Sequence, residues 1–326
     1  MKFFRNNTQK YFNCMISRSL FFCLSFFIVS LTSSYAKEKS LKPSDIISPD
    51  VPKIMIFCDD TMDLTRFDKR ESVDRELLAF SYMHSTTLKL IKKANRYFPI
   101  VAPILKDNGI PEDIIYLMAI ESSVVPKARS YAGAAGLWQL MTDNARSLGL
   151  EVNSNIDERY NIEKSTLAAC KYLKHSYEIF NNWFLVALSY NRGVSGIKSD
   201  MKLQQTNNAT DLYLNSETSK YIYRILACKY LFQNPSRLGF KIRRRDLYPL
   251  LSHTTVKWAN TIPSLATWAK QHGTNYKLLK LANPWLLGTS MHDKSHRTYY
   301  LKIYNDSAIN YNPRKTDVYD KRWIIK

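Results

Sequence analysis

Between Ile110 and Met141 a short apolar helix signal ends in a carboxylate and runs into a chain of very small residues. Pro111 suits the first turn of a helix, where its missing N–H costs nothing. Glu112 and Asp113 place negative charge at that helix start. Ile114, Leu117, Met118 and Glu121 follow at helical spacing, so Glu121 ends the helix on or beside its apolar stripe. A carboxylate there is expensive unless it has a partner or a task. Apolar surroundings raise its pKa and keep it protonated near neutrality, as a general acid requires. The bland alternative is a solvated Glu at a helix end, which is the usual fate of glutamate.

The segment after the helix weighs against the bland reading. Ala132-Gly133-Ala134-Ala135-Gly136 allows close backbone approach. Leu137-Trp138-Gln139 then offers an aromatic wall and an uncharged amide, a lining suited to a sugar. Trp138 also has a core-facing reading.

Glu121-Ser122, Gly136-Leu137-Trp138-Gln139, Ser189-Tyr190-Asn191 and Tyr221 stand in the order of a known catalytic domain. The chain resembles the soluble-lytic-transglycosylase family, related to goose-type lysozyme, most closely its membrane-bound lytic murein transglycosylase D type. The likeness covers roughly 97–235, with supporting matches at Asp157-Glu158-Arg159 and Ser165-Thr166-Leu167-Ala168-Ala169. It implies a mainly α, lysozyme-like helical catalytic domain. It also implies cleavage of the β-1,4 bond between N-acetylmuramic acid and N-acetylglucosamine, leaving 1,6-anhydromuramoyl ends. Glu121 would act as acid and then as base, with no metal and no cofactor. Ser122 would orient Glu121 or close the turn after it. Gln139, Tyr190, Asn191 and Tyr221 would contact substrate or Glu121. Thr142, Asn144, Ser189 and Arg192 depart from the usual pattern, which bears on cleft shape but leaves the acid in place.

Two other functions stay open at this stage. A lysozyme-like hydrolase of peptidoglycan or chitin needs a second carboxylate, for which Asp143, Asp157 and Glu217 are candidates. A non-catalytic wall-binding protein would keep the fold, but the presence of Glu121 argues against it.

Charge agrees with an anionic partner. The net formal charge is +19. Peptidoglycan, with carboxylates on its stems, and nucleic acid both suit a basic surface. No zinc-finger spacing, RNA-binding aromatic signature or phosphate loop is present, which excludes the common nucleic-acid classes. Charge alone does not choose between the two; the resemblance does, and it implies glycan strands of peptidoglycan as the partner, bound by a monomer.

Residues 1–36 read as a secretory signal. Lys2, Arg5, Lys10 and Arg18 precede an apolar core from Leu20 to Leu31, and Ser34-Tyr35-Ala36 is a plausible cleavage site. The apolar core is short for a membrane span, so an uncleaved anchor is the weaker reading. Leu20-Phe21-Phe22 before Cys23 lacks the small residues of a lipoprotein box, so lipidation is not expected. The expected place is the periplasm or cell envelope, with peripheral membrane association compatible.

Residues 37–96 read as a polar linker or strap and a helical extension. The long helix runs from about Glu71 to Tyr97, is broken at Pro99, and is followed by a short helix to Lys106. His84 reads as structural, and Asp59-Asp60 as solvated acids. The region 97–235 would be the catalytic domain. It carries helices over about Ile162–Phe180, Trp183–Asn191 and Glu217–Phe232. Arg192–Gly196 reads as a loop and 199–216 as mostly loop. The segment 236–252, with its Arg243-Arg244-Arg245 run, reads as a solvated linker.

Residues 253–305 show a strand–helix–helix–strand order that resembles a LysM module, a small α+β unit that binds N-acetylglucosamine chains. The Gly-Asp usual after its first strand is replaced by Asn260-Thr261, so a structural role stands beside sugar binding. Residues 306–326 read as a loosely ordered basic tail. Cys58, Cys170 and Cys228 have no CxxC spacing and read as buried small residues, with at most one disulfide.

Overall fold

The computed structural model describes residues 48–291, 297–310, 312, 314 and 316–325. The expected leader lies outside these residues. The chain is mainly α with a few short strands, as the periodicity predicts. A hairpin, β1 (Ile54–Phe57) and β2 (Asp60–Asp63), opens the fold. The helices α1 (Phe67–Tyr82), α2 (His84–Asp107), α3 (Ile114–Ser122) and α4 (Thr142–Ser147) follow. Next come α5 (Ile162–Phe180), α6 (Trp183–Arg192), α7 (Val194–Gln204) and α8 (Ser216–Gln233).

The hairpin is a strap fixed by three polar ties. Asp60 accepts from the Trp183 N–H at 2.5 Å. Asp113 accepts from the Cys58 N–H at 2.9 Å, and Lys229, which pairs with Asp113, donates to the Ile56 carbonyl at 2.8 Å. Met55, Phe57 and Met62 of the hairpin are buried in the same apolar core as α1 to α8. Cys58, Cys170 and Cys228 are all free and buried.

The helix break in this region is not where the prolines suggest. It falls at Met83, whose φ of −81° and ψ of 54° end α1, while Pro99 and Pro103 lie inside α2. An interior proline costs about 3 kcal/mol. Burial of Leu90, Ile91, Ala94, Phe98, Val101 and Leu105 along α2 outweighs that loss. At the break, the Thr87 hydroxyl donates to the Phe80 carbonyl at 2.7 Å and joins the two helices. His84 is exposed at the start of α2, its ring edge-on to Phe240.

Two further expectations are corrected. Arg192–Gly196 is not a loop: Gly193, at φ +83°, ends α6 and caps α7. Only glycine accepts that conformation without strain, so the residue that reads as a breaker is a helix-to-helix joint. The tail is not loose over its described part. Trp323 is buried with Phe98 and Phe232, and Asn95 donates to the Asp317 carbonyl at 2.8 Å and accepts from the Tyr319 N–H at 2.9 Å. Aromatic residues spaced along a basic segment outweigh its overall polarity.

The C-terminal unit keeps the expected order. Its strands β3 (His253–Trp258) and β4 (Tyr299–Tyr304) pair antiparallel, with His253 opposite Tyr304 and Trp258 opposite Tyr299. Between them lie α9 (Leu265–Gln271), capped by the Ser264 hydroxyl, and α10 (Tyr276–Ala282), capped by the Asn275 carbonyl oxygen.

Candidate active site

Helix α3 is short and apolar, with Ile114, Ile115, Leu117, Met118 and Ala119 all buried. Its packing carries Glu121 to the edge of the core. The chain then turns sharply: Ser123 has φ +49° and Val124 has φ +52°. A β-branched residue in the left-handed region is strained by about 1–3 kcal/mol. Val124 is fully buried, and the Val125 N–H donates to the Ser122 carbonyl at 3.1 Å. Lys93 donates to the Ser123 carbonyl at 2.9 Å. Packing and these bonds hold the turn, which keeps Glu121 at the helix end.

Helix α8 lies against α3 and brings Tyr221, whose hydroxyl donates to the Glu121 carboxyl. The two side chains line a groove of about 530 Å³ with Ile120, Asn191, Ser216, Glu217, Lys220 and Arg224. Burial is the main force on Glu121 and pushes its pKa up to about 7. The Tyr221 hydrogen bond opposes that rise, Glu217 adds to it by like charge, and Arg224 offsets it. Arg224 is itself drawn toward Glu76, at 3.7 Å. Burial and the nearby Glu121 charge hold the Tyr221 hydroxyl well above the usual phenol range, so it stays a donor.

The other sequence candidates are placed as follows. Asn191 reaches the groove from the end of α6. Its side-chain oxygen accepts from Thr218 at 2.7 Å, and its nitrogen lies 3.4 Å from Glu217. Tyr190 is outside the groove lining, and its hydroxyl donates to the Trp138 carbonyl at 2.6 Å. Ser122 is buried and bonds back to the Met118 carbonyl at 3.3 Å, one helical turn away, so its hydroxyl serves the helix end and not the Glu121 carboxyl. Gln139, at φ +46°, donates to the Gly136 carbonyl at 2.8 Å and the Ala128 carbonyl at 3.2 Å. It ties the small-residue loop together and is outside the groove lining around Glu121. Trp138 is no wall. It is fully buried, and its indole N–H donates to Thr166 at 2.9 Å.

Of the acids considered for a second carboxylate, Asp143 is exposed and Asp157 is buried against Arg159 at 2.8 Å. Glu217 lines the groove with Glu121. Lys220 and Arg224 were not legible as site residues, although Glu217, Lys220, Tyr221 and Arg224 share one helical face by spacing. Among the described residues no group of His, Cys, Asp or Glu is arranged to hold a metal ion.

Residues 99–213 match the transglycosylase SLT domain, and residues 254–314 match the soluble lytic transglycosylase C-terminal LysM-like domain. The membrane-bound lytic murein transglycosylase D of Escherichia coli strain K12 is 29% identical over 230 residues, 68% of this chain and 49% of that protein. The membrane-bound lytic murein transglycosylase C of Haemophilus ducreyi is 27% identical over 152 residues, 41% of this chain and 40% of that protein. Among solved structures, the 70 kDa soluble lytic transglycosylase SLT70 of Escherichia coli aligns with a TM-score of 0.38 and 20% identity, over 52% of this chain and 31% of that one. The chain thus spans about half the length of the curated relative that it matches over most of its own. It carries a transglycosylase SLT domain followed by a LysM-like domain of the soluble lytic transglycosylase C-terminal type.

Proposed function

We propose that this chain is a lytic transglycosylase of peptidoglycan. It cleaves the β-1,4 bond between N-acetylmuramic acid and N-acetylglucosamine and leaves 1,6-anhydromuramoyl ends. The observation that carries the reading is Glu121 itself: a carboxyl raised to about 7, hydrogen-bonded by Tyr221, in a groove inside the SLT match.

The chemistry follows from one carboxyl. Protonated Glu121 gives its proton to the glycosidic oxygen as the bond from C1 to that oxygen breaks. The 2-acetamido group of the muramoyl sugar supports the positive charge at C1. The carboxylate so formed takes the proton of the muramoyl 6-hydroxyl, whose oxygen bonds to C1. The proton count on Glu121 is restored and no water is consumed. A pKa near neutrality suits both halves, since acid and base forms are then both accessible. Tyr221 holds the carboxyl oriented, and Asn191 holds the polar rim through Thr218.

Glu217 is the observation that favours a second reading, a hydrolase, because it is a carboxylate in the same groove. Its side chain is exposed, with one oxygen 3.4 Å from the Asn191 nitrogen. Mass spectrometry of products released from purified peptidoglycan separates the two. Products lighter by one water, with anhydro ends, support the transglycosylase. Reducing ends overturn it and assign Glu217 to the water.

The domain plan read from the sequence goes with this function: leader 1–36, strap and helical extension 37–96, catalytic domain 97–235, linker 236–252, LysM-like unit 253–305 and tail 306–326. We also propose export to the cell envelope. No helix among the described residues is long and apolar enough to cross a membrane.

A further inference from the structure

Residues 151–163 of the SLT domain carry a dense set of contacts to the LysM-like domain. The Asp157 N–H donates to the Trp285 carbonyl at 2.9 Å, and the Leu287 N–H donates to the Asn155 carbonyl at 2.8 Å. Ile156 and Leu286 pair as an isolated antiparallel bridge. The Tyr299 hydroxyl donates to Glu151 at 2.8 Å, and Lys302 pairs with Glu163. Apolar packing crosses the same boundary. Ala135, Ile156 and Tyr160 are buried in one cluster with Trp285, Leu286 and Tyr299. Ala135 belongs to the small-residue loop itself.

The path continues from that segment toward the groove. Arg159 is buried, and all three nitrogens of its guanidinium donate. Nε and Nη2 bond Asp157 at 2.9 and 2.8 Å, while Nη1 donates to the carbonyls of Gly133 and Leu140 at 2.9 and 3.1 Å. Those two carbonyls bracket the loop. Within it, a Cβ at Gly136 would overlap the Arg159 carbonyl oxygen, so the loop lies directly on the 157–160 backbone. The Trp138 carbonyl, between the two anchors, accepts the Tyr190 hydroxyl at 2.6 Å. Tyr190 immediately precedes Asn191 of the groove, and the Glu121 charge acts on its phenol.

We propose that the LysM-like domain is part of the active-site scaffold, and that Arg159 is the positioning residue through which it fixes the Gly133–Leu140 loop and hence Tyr190. The proposal rests on the transglycosylase reading of Glu121. A module that served only to tether the enzyme to its substrate would keep its own core and a free linker. Here the core is shared with the loop, and the contacts run in an unbroken chain from β4 and the Trp285–Leu287 turn to α6. Catalysis is sensitive to small misplacements of groups remote from the bond that breaks, so loosening this boundary costs turnover even on a substrate too short to reach the LysM-like domain.

The test uses the full chain carrying Leu286→Ala, Leu286→Met or Arg159→Lys. Hydrogen–deuterium exchange is followed in residues 128–140 and 184–192. Rates are measured on a soluble tetrasaccharide of alternating N-acetylglucosamine and N-acetylmuramic acid. Leu286→Ala is expected to speed exchange in 128–140 and to lower kcat roughly tenfold with KM little changed. Leu286→Met, which keeps the volume, restores both. Arg159→Lys, which cannot span an acid and two carbonyls, gives the same signature with the LysM-like domain still protected. Wild-type exchange in 128–140 despite a loosened LysM-like domain overturns the proposal. So does a loss confined to KM, which is the mark of a sugar tether. The exchange measurement needs no turnover: absence of anhydro products from the wild type removes the transglycosylase reading alone and leaves the scaffold to be judged by exchange.

Discussion

Asp157 and Glu121 are both drawn away from solvent, and their surroundings differ in kind. Asp157 is met by both nitrogens of a guanidinium fork and by the Arg159 backbone N–H. Glu121 meets one neutral hydroxyl, with Glu217 adding like charge and Arg224 drawn toward Glu76. A buried charge with a bidentate partner stays charged and builds structure. A buried acid with only a phenol beside it keeps its proton to near neutrality and is available for chemistry. Residue type alone does not separate the two; what stands opposite each carboxyl does.

The comparison breaks first at Glu121→Gln. The amide keeps the shape and can still accept from Tyr221, but it has no proton to give. Turnover is expected to fall by about a hundred- to ten-thousand-fold, the usual worth of acid–base catalysis, while retention on peptidoglycan in a pull-down is unchanged. Near-normal release of muropeptides would move Glu121 to the structural class. The mirror experiment is Asp157→Ala. It strands the Arg159 guanidinium in the interior and is expected to cost about 3–5 kcal/mol of stability, read by urea unfolding. A change under about 1 kcal/mol would mean that Arg159 finds solvent or another partner.

The same contrast explains what could be read before the structure was known. The apolar run that ends in Glu121 is visible in sequence because helical spacing is local. The same holds for α5, whose bounds at Ile162 and Phe180 match the stripe, and for β3 and β4. Direction and partner are not local. Ser122 and Gln139 have the right chemistry for a cleft, but their bonds go to Met118, Gly136 and Ala128. Trp138 follows Leu137 and a run of three alanines and two glycines, yet its ring turns inward to Thr166. Arg224 and Lys220 became site residues only when α8 was laid against α3. Pro99 does not break α2, because burial along both flanks of that helix outweighs its local propensity. Gly193 misled because a glycine that ends one helix can also begin the next.

The pH dependence of activity sharpens the assignment of the neighbours. Glu217 raises the Glu121 pKa and the Tyr221 hydrogen bond lowers it. The first chemical step needs the protonated acid, so the rate is expected to fall as pH rises through about 7. Glu217→Gln should move that descending limb to lower pH, and Tyr221→Phe should move it to higher pH along with a loss of rate. Limbs that stay in place in both variants would show that the titrating group is another residue.

The smallest expected effect is on stability, and its sign runs against the common one for an acid. The Glu121 pKa is raised from 4.5 to about 7 in the folded protein. Below the lower value both folded and unfolded forms carry the proton, and the folded state bears no ionisation cost. As pH rises between the two values the unfolded chain releases its proton first, so the folded form binds more protons and stability declines with pH. Above about 7 the full cost is present. Glu121→Gln removes it, so the variant is expected to match the wild type near pH 4 and to be more stable near pH 8, by about 1–3 kcal/mol. Asp157→Asn is expected to lose stability, because it removes the bidentate pair with Arg159. Thermal melts of the two variants at both pH values carry the comparison. Equal behaviour of the two would mean that Glu121 is as well neutralised in the fold as Asp157, and the case for it as the acid would rest on the activity data alone.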